Sequence, residues 1–172
     1  MTAPAGKWSQ TQADGAISQL VNQVTAFAYI STPAATTIAK ADTYYFLEST
    51  FTNTIASNIS AGTSGIQIDL DCRLEIEFEV HGVASVAGEI VTAIVKNPTF
   101  VSGELTAGTV LEGSQGAYES DTVAATNGFG SSHSMWAGDL EDGDEIALVI
   151  KCADIANSFL PHAGAATLHQ VI

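Results

Sequence analysis

The chain has 172 residues, 46% of them hydrophobic and only 14% charged, and 19 acids against 5 bases leave a formal net charge of -14. That length suits one domain, at roughly 100–200 residues per domain. The acidity argues against nucleic-acid partners and anionic membrane surfaces, because affinity for both is built on Lys and Arg. No apolar run of signal length opens the chain, and no stretch of about 18 apolar residues occurs in it, so neither ordinary export nor a helical membrane span is expected.

Residues 1–23 lack strand alternation and read as an arm. Ile17, Leu20, Val21 and Val24 have helical spacing, which predicts a short amphipathic turn leading into the first strand. Trp8, alone in a polar terminal segment, either packs back on its own domain or docks on a partner.

From residue 24 the chain reads as strands and turns: VTAFAYI from Val24, TTIAKA from Thr36, then TYYFLESTFT from Thr43. Residues 66–80, IQIDLDCRLEIEFEV, alternate without a break, with Ile66, Ile68, Leu70, Cys72, Leu74, Ile76, Phe78 and Val80 apolar. A helix would scatter these around its circumference, whereas a strand places them on one face, so one half-buried antiparallel strand is predicted. Its outer row, Gln67, Asp69, Asp71, Arg73, Glu75, Glu77 and Glu79, reads as a solvated face, with a cation or a basic partner as the other reading.

EIVTAIVK from Glu89 is the next strand, ended at Asn97 and Pro98, since Pro stops pairing and Asn accommodates a turn. TAGTVLEGSQGAY and the Gly/Ser-rich TNGFGSSHS follow, and residues 113–134 read as a long loop region. Asp142, Gly143 and Asp144 then form a tight turn before EIALVIKC from Glu145, which is apolar on both faces. Such a strand is buried on both sides of its sheet or against a neighbouring subunit. ATLHQVI ends the chain.

Gly, Asn, Asp and Ser clusters separate these segments at the spacing of a sandwich or barrel. The prediction is an all-β, antiparallel two-sheet jelly-roll sandwich over residues 24–172, whose final strand is essential to stability. Tyr44, Tyr45 and Phe46, with Ile146, Leu148 and Ile150, amount to more apolar surface than one small sandwich buries alone. These six are therefore expected at a trimer interface.

Catalytic signatures are missing: there is no G-x-S-x-G elbow, H-E-x-x-H, C-x-x-C, P-loop or dinucleotide fingerprint. His133, beside Ser132 and Ser134, has the residue types of a base and a nucleophile but reads as a solvated loop histidine. Asp142, Asp144 and Glu145 offer oxygen ligands to Ca²⁺, yet lack the Ca²⁺-loop spacing and read as a plain turn. Cys72 and Cys152 form no metal-type spacing with His81, His133, His162 or His169 and are expected as buried thiols in preference to a disulfide. No enzyme activity, catalytic residue, metal or cofactor is expected.

IAKADTYYFLESTF from Ile38, LDCRLEIEFEVHGVAS from Leu70, AIVKNP from Ala93, DLEDGDEIALVI from Asp139 and AATLHQVI from Ala165 stand in an order that resembles the C1q/TNF-like jelly-roll domains of bacteriophage structural proteins. The resemblance covers roughly residues 38–172. It implies a homotrimer about a shared apolar axis, used in phage particles as a capsid decoration (cement) protein or as a fibre tip. Heptads, a collagen-like repeat and an upstream domain are all missing, which favours a decoration protein. A fibre or spike tip recognising a host surface glycan or protein is the alternative. The implied place is the exterior of the capsid in the virion, after synthesis in the host cytoplasm, with the major capsid protein as partner. Lasting attachment to a capsid needs apolar burial, and Trp8, Ile17, Leu20 and Val21 of the arm are the candidates to supply it.

Overall fold

The alternation that dominates the sequence becomes two antiparallel sheets packed face to face. The computed structural model describes residues 24–48, 50–120, 130–153 and 157–171. In chain order its strands are β1 (Thr25–Thr32), β2 (Thr36–Ile38), β3 (Tyr45–Phe46), β4 (Thr50–Ser57), β5 (Ile59–Ala61), β6 (Ile66–Ile68) and β7 (Cys72–Ala84). β8 (Gly88–Val101), β9 (Glu104–Val110), β10 (Gly116–Ser120), β11 (Gly130–Leu140), β12 (Glu145–Cys152) and β13 (Asn157–Gln170) complete them. The first sheet runs β11-β7-β13-β1-β4, with β2 also paired to β13. The second runs β10-β8-β9-β3-β12-β6-β5, with β8 and β12 paired directly. The arm, residues 1–23, lies outside the described residues.

The inner faces meet in one core. Leu74, Ile76, Phe78 and Val80 of β7, with Phe159 and Leu168 of β13, pack against Ile90 and Ile94 of β8 and Ile146, Leu148 and Ile150 of β12. Each fully buried Ile or Leu contributes roughly 1.5–3 kcal/mol by leaving water.

Several strand expectations are corrected by this topology. Residues 66–80 are two strands in two sheets: β6 pairs with β12, and β7 pairs with β11 and β13. Asp69 and Asp71 mark the crossing. Asp69 Oδ1 accepts hydrogen bonds from Ser60 Oγ at 2.9 Å and Gln67 Nε2 at 3.0 Å, and Asp71 Oδ1 accepts one from the Asp142 amide at 2.7 Å. Alternation survives because a strand that changes sheets at a sandwich edge keeps its apolar side toward the shared core. Residues 43–52 divide likewise, β3 going to the second sheet and β4 to the first.

Pro98 does not end its strand. β8 continues to Val101 across a register shift between Lys96 and Thr99, where Asn97 takes a left-handed φ of 51°. The last strand starts earlier than expected, at Asn157, because a bulge between Pro161 and Ala163 breaks its local alternation.

Strand β12, apolar on both faces, is covered on both sides within the single chain. Its inner residues lie in the main core. Its outer Val149 forms a second cluster with Ala93 and Val95, against which Tyr44, Phe100, Leu105 and Val110 pack.

Candidate interaction face

The six residues expected at a trimer interface divide accordingly. Tyr45, Ile146, Leu148 and Ile150 are buried in the chain's own core. Tyr44 and Phe46 are half-buried on the other side of the same sheet, and the Phe46 ring packs at a tilt of 58° against Phe100, 5.2 Å between centroids. The strands around β12 cover most of this apolar surface within the chain. Trp8, Ile17, Leu20 and Val21 lie outside the described residues.

The structure also places the serine–histidine cluster and the acidic turn. His133 lies in β11, not in a loop, and strand alternation sends it to the face opposite Ser132 and Ser134. Those two serines are buried and meet Thr92 Oγ1 of the other sheet at 2.6 and 2.7 Å. No serine–histidine pair forms there.

The carboxylates of Asp144 and Glu145 in the 142–145 turn are engaged by protein donors. Gly143 supplies the left-handed corner at φ 89°. Asp144, 8% exposed, accepts from the Glu141 amide at 2.7 Å and Asn97 Nδ2 at 2.9 Å and pairs with Lys96 Nζ at 2.5 Å. Burial pushes its carboxyl up, but these partners outweigh burial and hold it below the usual range. Glu145 accepts from the amides of Thr63 and Ser64 at 2.9 and 2.8 Å.

Cys152 is buried at the end of β12 and Cys72 is half-buried at the start of β7, with no disulfide between them. Burial, helped by Asp71, pushes the Cys72 thiol up, which keeps it a poor nucleophile.

The richest chemistry among the described residues lies on the outer face of the first sheet, away from the core. Pairing registers lay its side chains out in rows. Phe27 of β1, Thr167 of β13, Glu77 of β7 and Met135 of β11 form one row, and Tyr29, Ala165, Glu79 and His133 the next. Thr25, His169, Glu75 and Ala137 form a third. Phe27, Tyr29 and Met135 are 40%, 42% and 52% exposed, more than a large apolar side chain needs to be in a two-layer fold.

Each glutamate of the β7 row has its own histidine. His169 Nε2 stands 3.0 Å from Glu75 Oε2, His133 Nε2 2.7 Å from Glu77 Oε1, and His81 Nε2 3.0 Å from Glu79 Oε1. Beyond them Arg73 stands 3.7 Å from Asp139. Sequence reasoning found the acidic row but treated the histidines as isolated. The usable signal was that TLHQ places its histidine on the polar side of an alternating segment; SSHSM carries no such signal, because Met135 shares the side of His133.

A cavity of about 750 Å³ also opens beside β12, between Phe46–Glu48 and residues 60–66, and reaches Ala28 and Ala166 of the first sheet. Its wall is largely apolar, with Glu48 as its one ionisable side chain.

No family model matches the sequence, and no curated protein matches it. Solved structures do match in three dimensions. Eiger TNF from S. frugiperda superposes with a TM-score of 0.59 over 88% of this chain and 94% of that one, at 12% identity. Murine APRIL, in a crystal structure at pH 8.0, gives 0.58 over 87% and 99%, at 10% identity. The fold is a TNF-like jelly roll. At these identities the likeness is one of fold, which agrees with the architecture expected from the ordered motifs, and function in a TNF-like jelly roll is a separate question decided by its surfaces.

Proposed function

We propose that this TNF-like jelly roll is a non-enzymatic, homotrimeric structural protein that decorates the outside of a phage capsid and ties neighbouring capsid subunits together. The observation that carries self-association is the outer face of the first sheet, which no described strand covers. It combines Phe27, Tyr29 and Met135 with the small Ala137, Ala165 and Thr167, a surface that a second copy of the chain can approach closely. The apolar residues of β12, by contrast, are covered within the protomer.

Two features favour a coat role for such a trimer. The ordered motifs resemble phage structural domains, and a net charge of -14 makes coated particles repel one another while drawing the protein to basic patches on a lattice. Binding across assembled subunits and not to dispersed ones stabilises a shell by mass action. The arm, with Trp8, supplies a segment for that contact.

The test is the copy number in purified particles together with light scattering of the isolated protein. A trimer in solution and a band on the scale of the major capsid protein support decoration. A trimer present at a small fraction of that amount supports the fibre or spike tip instead, and a monomer at all concentrations removes the reading.

A further inference from the structure

We infer that self-association through the outer face of the first sheet is controlled by protons, the three histidine–glutamate pairs making the face self-complementary under mildly acidic conditions. The inference rests on the proposed self-association and adds its regulation.

The carboxylate, guanidinium and imidazole groups of this face come from three strands. β7 supplies Arg73, Glu75, Glu77, Glu79 and His81; β11 supplies His133 and Asp139; β13 supplies His169. β1 contributes the phenol of Tyr29, and β2 and β4 contain no ionisable residue. His162 is exposed at the bulge of β13, next to the rows. Arg73 and Asp139 offset each other. With neutral histidines the three glutamates therefore leave a formal charge of -3 per face, and protonation of His81, His133 and His169 brings it to zero.

Histidine is the side chain that changes charge between about pH 5 and 8. Covering the face with a further copy above that window takes its three glutamates out of water without counter-charges, which is strongly unfavourable. Below it every glutamate already lies within 3.0 Å of a cation on its own protomer. Burial of Phe27, Tyr29 and Met135 then proceeds without that opposition. A further copy of the chain suits the face better than a basic partner, because alternating glutamates and protonated histidines offer both signs to a neighbouring copy, and a closed three-fold arrangement repeats the contact at every protomer. The sign follows from linkage: a proton bound more tightly in the assembled state favours assembly at low pH, and that gain is lost as the pH rises.

The experiment is a dilution series of the full chain by sedimentation equilibrium, at about pH 8 and about pH 6 and constant ionic strength. Each histidine whose proton is held one unit more tightly in the assembly contributes about tenfold, so the midpoint of dissociation should lie at least about tenfold lower at the acidic value. The triple variant His81→Gln, His133→Gln, His169→Gln should lose the pH difference. The triple variant Glu75→Gln, Glu77→Gln, Glu79→Gln should associate tightly at both values. A wild-type oligomer whose midpoint ignores pH, or a pH difference that survives in a folded histidine variant, overturns the inference and leaves the homotrimer standing. A chain that stays monomeric at both values overturns both. The wild-type series decides the matter even where a variant fails to fold.

Discussion

Lys96 Nζ stands 2.5 Å from Asp144 Oδ2, and this pair joins the end of the regular β8 ladder to the turn that launches β12. The neighbouring Asn97 completes the joint: its Nδ2 donates to Asp144 Oδ1, and its Oδ1 accepts from the Glu145 amide at 2.8 Å. Two of the short motifs that carry the resemblance, AIVKNP and DLEDGDEIALVI, are therefore the two halves of one hydrogen-bonded lock.

Replacing Asp144 by Ala should destabilise the fold by about 2–4 kcal/mol, since it strips the Glu141 amide and Lys96 of a largely buried charged partner. The carboxyl is held below its usual value, so its contribution is complete above the unfolded-state value near 3.9 and is lost as the pH falls through the depressed one. Urea titrations near pH 7 and near pH 3 should show the full wild-type advantage at the first and a smaller one at the second.

Tyr45 is 4% exposed, and its hydroxyl has no hydrogen-bond partner among the described residues. A buried unsatisfied hydroxyl costs about 1–3 kcal/mol, so Tyr45→Phe should leave stability unchanged or raise it by about 1 kcal/mol. At roughly 2–4 °C per kcal/mol for a domain of this size, calorimetry resolves the difference. A clear fall in Tm would mean that the hydroxyl is bonded.

Thr92 holds Ser132 and Ser134 together across the two sheets. Thr92→Val keeps the shape and removes the hub, leaving two buried hydroxyls short of a partner. The expected loss is about 1–3 kcal/mol. Replacing all three residues by apolar groups of like shape should recover much of it, and a double-mutant cycle measures the coupling.

Strand β13 lies between β1 and β7 in the first sheet, with eleven of its residues in register with β7. Deleting residues 165–172 should abolish cooperative unfolding, because it removes the middle of the sheet and the buried Ala166 and Leu168. A truncated chain that kept a sharp thermal transition would show that the sandwich closes without it.

Which side of each strand faces the core was legible from consecutive residues. Period-two alternation is local, and Leu74, Ile76, Phe78 and Val80 point inward on any register of β7. The tight turn at residues 142–144 was legible for the same reason, since its geometry needs only Asp, Gly and Asp in a row. Strand neighbours are another matter, because pairing joins residues far apart in sequence. Alternation alone does not tell one strand from two in different sheets, as at Asp69–Asp71, nor reveal that Tyr44, Phe100 and Leu105 cover the outer side of Val149. The interaction face is the clearest instance. Glu77 was visible as part of an acidic row, but its histidine stands 56 positions later, and only the placement of β11 and β13 on either side of β7 brought His133 and His169 to Glu77 and Glu75, whereas His81 stands two positions from Glu79 on β7 itself.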